Sequence, residues 1–517
     1  MHPSSSRSPA ARTGSSATTD AAAVTAPPGT SNFRRLLRDV LIYGAGGVGL
    51  QLLGFVSVPV LTRIFSRAEY GVVETIATMS LVVGVFAYLG LDSASQRSFF
   101  DYSEAQERER SRVLSTGLWT LVLSTGVLTG LCIALSPAIA DVLFHGRYTV
   151  VLVLGFAAIP LISLTSYALE VMRVHHRPQA YATVAVFAGV VSVGSALVLA
   201  AVFDYGLKGY YAGLLAGGVA SVLLAYALVR HSVGLHFDRN ELEKMLRYGV
   251  PLIPVSLSMW VLQLADRFFV LHYRSLSELG VYAVGVKLAN LLFLAVTGFA
   301  LAWSPLMLEL HKRDQAGERV FRGRVLTYVT FALCLGAVVL SVFAREFFLT
   351  VTSKSYARAY EVVGLSAGAV VALGINSVTM SGISISRRTI HFARYAVIAA
   401  LLNIGLNFVL IPWLGMVGAA LATFLSYSAL AVLYYVRAQA LDPAPFDLRR
   451  VLLTVAVAAA VIAVGTFVRI DPLWLSFLVK LGLVAAFLIA LRLLGVIDRH
   501  GLALLLRSIT KGAPAQA

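Results

Sequence analysis

Charge is scarce in this sequence. Only 13% of the 517 residues are Asp, Glu, Lys or Arg, about half of what a soluble domain carries. That excludes a water-covered globule, because too little polar surface exists to clothe it. Acidic residues are the scarcer sign: 26 Asp and Glu stand against 42 Lys and Arg, a net +16. The surplus cations sit in short gaps between apolar blocks, with no long basic stripe interleaved with aromatics, so a nucleic-acid partner is not expected. Cysteine is rarer still. Cys132 and Cys334 each lie inside an apolar block, which excludes a disulfide framework and any CxxC or His/Cys metal spacing. No Walker A sequence, Ser/His/Asp arrangement or carboxylate pair stands out, so the chain is expected to be no enzyme and to carry no cofactor. Residues 1–31, rich in Ser, Ala, Thr and Pro, lack the apolar core of a secretory signal and read as a disordered tail.

What the chain does have is apolar length. Hydrophobic residues make up 58% and the mean hydropathy is +0.80. They fall into blocks of about 20, the span of a bilayer core as a helix. Fourteen spans are predicted: 40–62, 72–96, 112–136, 149–172, 180–203, 209–229, 249–271, 280–304, 324–344, 360–385, 391–411, 415–436, 451–468 and 472–495. Continuous apolar runs without alternation favour helices over a barrel. The first follows Arg34, Arg35 and Arg38 and reads as a retained signal anchor. With the N-terminus placed in the cytoplasm, 28 Lys and Arg lie on that side against 9 opposite. The positive-inside rule then puts both termini in the cytoplasm.

The chain also repeats itself. Ser66-x-x-Glu69-x-Gly71 recurs as Ser275-x-x-Glu278-x-Gly280, an offset of 209, and Gly206-x-x-Gly209 recurs as Gly415-x-x-Gly418 at the same offset. Two unrelated motifs sharing one offset indicate two six-helix repeats, over 32–235 and 236–440. Residues 441–517 add two helices and a tail. Six is even, so both repeats enter from one side and are related by an axis along the membrane normal, an arrangement that encloses a cavity and supports alternating access. Gly44-Ala-Gly46-Gly-Val-Gly49 matches GxGxxG but has no preceding strand and lies within a span, so it is no dinucleotide site. Gly213-x-x-x-Gly217 is a close-packing pattern.

Three stretches carry a family resemblance: Asn403–Tyr427, NIGLNFVLIPWLGMVGAALATFLSY; Val58–Gly71, VPVLTRIFSRAEYG; and Asp266–Asn290, DRFFVLHYRSLSELGVYAVGVKLAN. They resemble polysaccharide flippases of the multidrug/oligosaccharidyl-lipid/polysaccharide exporter superfamily. The resemblance implies an all-α, polytopic membrane protein of fourteen helices with a cationic lumen. It also implies a polyprenyl-diphosphate-linked oligosaccharide as cargo, possible coupling to a proton or sodium gradient, and membrane lipids and a polysaccharide polymerase or export complex as partners.

Intramembrane charge is costly and marks function or pairing. Asp266 and Arg267 sit near the outer end of span 7 and Lys287 lies well inside span 8. Either Arg267 and Lys287 present cations to a diphosphate with Asp266 tuning them, or an Asp266–Lys287 pair pins the two helices. Adjacent helical residues point about 100° apart, so Asp266 and Arg267 are not expected to share a direction. Asp92 and Arg97 end span 2, and Glu170 and Arg173 end span 4. They form ordinary interface charge or a cytoplasmic vestibule for a phosphorylated headgroup. Asn403 and Asn407, four apart on one helix face, are candidates for sugar binding, with interhelical hydrogen bonding as the alternative. A lipid-linked oligosaccharide flippase is the leading reading. A peptidoglycan-lipid or teichoic-acid precursor flippase, a cation-coupled multidrug exporter and a membrane glycan polymerase are the alternatives. A drug exporter would favour acidic lumen residues, and a polymerase would carry a large outer loop.

Overall fold

The computed structural model describes residues 49, 53–386, 388, 390–468 and 470–496, and among these every regular element is helical. In chain order the helices are α1 (Leu53–Ile64), α2 (Arg67–Tyr88), α3 (Leu91–Phe100), α4 (Glu107–Phe144), α5 (Thr149–Val174), α6 (Pro178–Leu197) and α7 (Gly206–Val229). Next come α8 (Arg239–Gly249), α9 (Ile253–Leu264), α10 (Asp266–Tyr273), α11 (Leu276–Ala289), α12 (Leu291–Arg313), α13 (Gln315–Val342) and α14 (Ala344–Val351). The last are α15 (Tyr360–Thr379), α16 (Ser381–Ile385), α17 (Ile390–Leu414), α18 (Met416–Leu441), α19 (Leu448–Phe467) and α20 (Leu473–Leu493). Thirteen helical stretches among the described residues are long and apolar enough to cross a membrane. The predicted first span is represented by α1 alone, since most of its beginning lies outside the described residues, as do the tail 1–31 and the GxGxxG segment apart from Gly49.

Several predicted spans are not single rods, among them span 10, which breaks at Met380. Span 2 breaks at Leu89 and Gly90, both at positive φ, span 7 breaks at Ala265, and span 8 breaks at Asn290. Apolar content dictates burial in lipid but not helix continuity, and breaks are tolerated where they line a cavity. The repeated motifs are helix starts. Ser66 caps α2 in a capping box, its Oγ accepting from the Glu69 amide at 3.3 Å while Glu69 accepts from the Ser66 amide at 2.9 Å. In the second copy Ser275 caps α11 in the same way. Glu278, however, reaches the Met416 amide at 2.8 Å and serves the first turn of α18, whose N-cap Gly415 has no side chain. Gly206 and Gly415 both adopt positive φ at tight helix–helix turns. The predicted packing glycines do approach a neighbour: Gly213 and Gly217 of α7 lie against the Ala196 and Ser192 backbone of α6.

One large core joins the two sequence halves. It runs from Val58, Phe65 and Tyr70 through Leu279, Tyr282 and Val284 to Val338 and Tyr356. At the Ser66/Ser275 end α2 crosses α11 closely. There the Tyr356 hydroxyl donates to the Phe65 carbonyl at 3.0 Å, and Phe55 stacks on Phe347 at 5.8 Å. At the opposite end α8 packs on α3 and α4, with the Tyr102 hydroxyl donating to Glu241 at 2.7 Å.

Candidate functional site

The breaks in spans 7 and 8 flank a cavity of about 450 Å³ lined by residues of α1, α6, α7, α9, α10, α11, α12, α15 and α18, Asp266, Arg267 and Lys287 among them. The charged groups are arranged differently from the pairing expected of them. Lys287 pairs with Glu74 of α2, Nζ to Oε1 at 2.7 Å, and donates to the Tyr70 hydroxyl at 2.9 Å. It does not pair with Asp266. Asp266 instead accepts from the Tyr282 hydroxyl, from Thr423 at 3.3 Å and from Arg267 at 3.0 Å. Nor do Asp266 and Arg267 diverge. The long arginine side chain folds back toward its own N-terminus, where it also donates to the Gln263 carbonyl at 2.8 Å. Arg267 reaches Glu74 as well, Nε to Oε2 at 3.5 Å, too long for a hydrogen bond, and that buried Nε has no other partner.

Two cations and two carboxylates therefore share the site, which is closer to balanced than to a bare cationic wall. Burial ranks them: the Lys287 side chain is 34% exposed while those of Arg267, Glu74 and Asp266 are 7%, 9% and 3% exposed, so Lys287 is the charge most open to the cavity. Glu74 is the residue that sequence reasoning missed. An acid three residues after Gly71 in an apolar span was the available signal, because intramembrane carboxylates demand a partner.

A second cavity, of about 710 Å³, runs along α2, α5 and α7 toward the start of α9. Tyr210 lines both cavities. Asp92, Glu170 and Arg173 belong to the second, with Asp92 and Arg173 exposed at its rim and Arg173 paired to Glu170 at 3.2 Å. Arg97, grouped with them in sequence, is elsewhere: it stacks over the Tyr248 ring of α8 at 4.6 Å. The short helix α3 turns away after the Gly90 kink and carries Arg97 out of the cavity wall. Asn403 and Asn407 line neither cavity. Both are fully buried in α17, where the Asn407 amide donates to the Asn403 side-chain oxygen at 3.0 Å. Their bond runs within one helix and is not the interhelical bond expected, and neither side chain reaches these two cavities as a sugar ligand would.

Two further buried ion clusters went unread. Lys480 of α20 binds Glu346 of α14 at 2.7 Å with Ser476 at 2.8 Å, fastening the appended helices to the second half. Arg322 of α13 binds Asp442 at 2.6 Å, Arg319 joins the same carboxylate at 2.6 Å, and Glu318 and His311 complete the cluster. His311, Glu318 and Asp442 present oxygens and a nitrogen close enough for a metal, but the two arginines already neutralise them.

The polysaccharide biosynthesis protein family model matches residues 36–311, and the MatE model matches residues 251–413. The chain belongs to the polysaccharide biosynthesis family. Among curated members of wider resemblance, Lsg locus putative protein 1 of Haemophilus influenzae is 25% identical over 297 residues, covering 54% of this chain and 68% of that protein. The succinoglycan biosynthesis transport protein ExoT of Rhizobium meliloti is 23% identical over 349 residues, covering 65% and 67%. In fold, the chain is similar to the lipid II flippase MurJ in an inward closed conformation, at TM-score 0.68 and 16% identity, covering 86% of this chain and 98% of that one. A MATE transporter of Vibrio cholerae follows at TM-score 0.58 and 12% identity, covering 80% and 98%. This family member is thus a polytopic membrane protein of transporter fold.

Proposed function

We propose that the protein flips a polyprenyl-diphosphate-linked oligosaccharide across the inner membrane by alternating access, as a transporter in surface polysaccharide biosynthesis and not an enzyme. The observation that carries this reading is the placement of Arg267 and Lys287 at a cavity inside the membrane-spanning bundle. A diphosphate cannot leave water for hydrocarbon without compensation. Fixed cations offset that cost, Arg by bidentate contact and Lys as a point charge. The larger cavity, with Tyr88, Ser163, Asp92 and Glu170 on its wall, offers hydrogen-bonding groups to a hydroxyl-rich headgroup beside the diphosphate. The naming of one relative as a succinoglycan transport protein supports the same substrate class.

In this reading residues 32–235 and 236–440 rock about the site, and both termini face the cytoplasm. The Asp92/Arg173 rim is then the cytoplasmic entrance. Coupling to a proton or sodium gradient and contact with a polysaccharide polymerase or export complex belong to the same proposal. The test is flipping in proteoliposomes of fluorescent undecaprenyl-diphosphate oligosaccharide, read by loss of signal to a membrane-impermeant quencher. Protein-dependent flipping of the oligosaccharide, several-fold faster than of lipid II, is expected. No flipping of any polyprenyl-diphosphate sugar overturns the proposal, and preference for lipid II reassigns the cargo to the peptidoglycan precursor.

A further inference from the structure

The geometry points to Glu74 as an internal counter-anion that ties the two halves together in the empty carrier and is displaced by the diphosphate of the substrate. This rests on the function proposed above. Glu74 stands on α2 in the first half, whereas Arg267 and Lys287 stand on α10 and α11 in the second. The Glu74–Lys287 contact of 2.7 Å and the Glu74–Arg267 contact of 3.5 Å therefore cross from half to half. So does the hydrogen bond from Lys287 to Tyr70, also on α2, at 2.9 Å. All lie beside the α2–α11 crossing that closes the Ser66/Ser275 end, so that end cannot part without breaking them.

A diphosphate entering this cavity meets the same cations. With Glu74 in place the four charged groups sum to zero, and the incoming anion would be uncompensated at low dielectric beside a second carboxylate. With Glu74 withdrawn on α2, Arg267, Lys287 and Asp266 sum to a net positive charge facing the ligand. The Arg267 Nε, buried without a hydrogen bond, is then free to take a phosphate oxygen. Loading and latching thus exclude one another. Substrate binding loosens the contact that holds the halves shut, which couples opening to occupancy and keeps the empty carrier closed at that end.

The experiment places spin labels at Arg147→Cys and Lys354→Cys, one in each half at the Ser66/Ser275 end, with Cys132 and Cys334 replaced by alanine. The full chain in lipid nanodiscs is measured with and without undecaprenyl diphosphate, and binding is titrated in parallel. In the parent the probe should lengthen the distance distribution. Glu74→Gln should show the longer distances without the probe and bind it about 10-fold more tightly, within the usual range of coupling between two states. Because Glu74→Gln strips two buried cations of a partner, Glu74→Asp is measured beside it. It withdraws the carboxylate by one methylene and should fall between parent and Gln. Binding to the parent without any change of distance or affinity in the folded variants overturns the latch. No binding of undecaprenyl diphosphate to the parent overturns the functional proposal itself, and the latch with it.

Discussion

Gly71 and Gly280 face one another where α2 crosses α11, and their contacts are reciprocal. A Cβ on Gly71 would overlap the carbonyl oxygen of Leu276, and a Cβ on Gly280 would overlap that of Arg67. Residues 67 and 276 carry the same offset of 209 as the two glycines. Each half thus uses the same helix start to touch the other, as across a two-fold axis. Only glycine lets the two backbones approach so closely.

Gly71→Ala should lower stability by about 1–3 kcal/mol, because the neighbouring atom is backbone and cannot rotate away. Gly84→Ala on the same helix meets nothing within 4 Å and should change stability by less than about 0.5 kcal/mol. Thermal unfolding of the purified proteins in one detergent compares them, and equal melting temperatures would contradict the close crossing.

Arg267→Ala should weaken binding of undecaprenyl diphosphate by about 2–5 kcal/mol, since it leaves Asp266 and Glu74 buried with fewer partners as well as removing the cation. Arg267→Lys should retain part of the affinity, lacking the bidentate fork. Flipping rates in proteoliposomes should follow the same order. Full activity of Arg267→Ala would remove this side chain from the site.

Replacing Asn403 and Asn407 together by leucine should leave flipping within about two-fold of the parent. Each amide keeps one buried polar atom without a hydrogen bond, so exchanging both partners for apolar groups is expected to be near neutral for stability. A folded double variant that has lost transport would return these residues to the substrate path.

Asp442 gives a pH dependence. Burial alone would raise its carboxyl pKa, but Arg322 and Arg319 outweigh that and hold it below the ordinary value. A lowered folded-state pKa means stability that is present above the unfolded pKa, about 3.9, and lost as pH falls through the folded value. The melting temperature should therefore drop as pH falls below about 4. Asp442→Asn should show a smaller drop from a lower start, since breaking a buried ion pair costs about 3–5 kcal/mol. Parallel pH profiles would show that the pair contributes nothing to acid stability.

Most of the architecture was legible from hydropathy, because lipid forces any chain of this composition to satisfy its backbone within helices. Loop arginines and lysines supply the orientation proposed above, and the 209-residue offset pointed to the matching helix starts at Ser66 and Ser275. Partnership was not legible. Lys287 and Asp266 lie 21 positions apart in adjoining spans, which made them the natural pair on paper. The partner of Lys287 is Glu74, 213 positions away. Lys480, within the last predicted span, likewise pairs with Glu346, 134 positions earlier, which hydropathy gives no reason to expect.

Composition and periodicity by themselves determined that this chain is a helical membrane protein, roughly where each helix lies, and that a few charges sit where lipid would punish them. Those properties follow from each residue's own transfer energy, which does not depend on its neighbours. Which charges meet, which helices break at the cavity, and that Asn403 and Asn407 are sealed away from it were decided only by the tertiary structure. Ion pairing falls off steeply with distance, and distances between helices are set by packing across the whole bundle, with Gly71 against Gly280 bringing Glu74 within reach of Lys287.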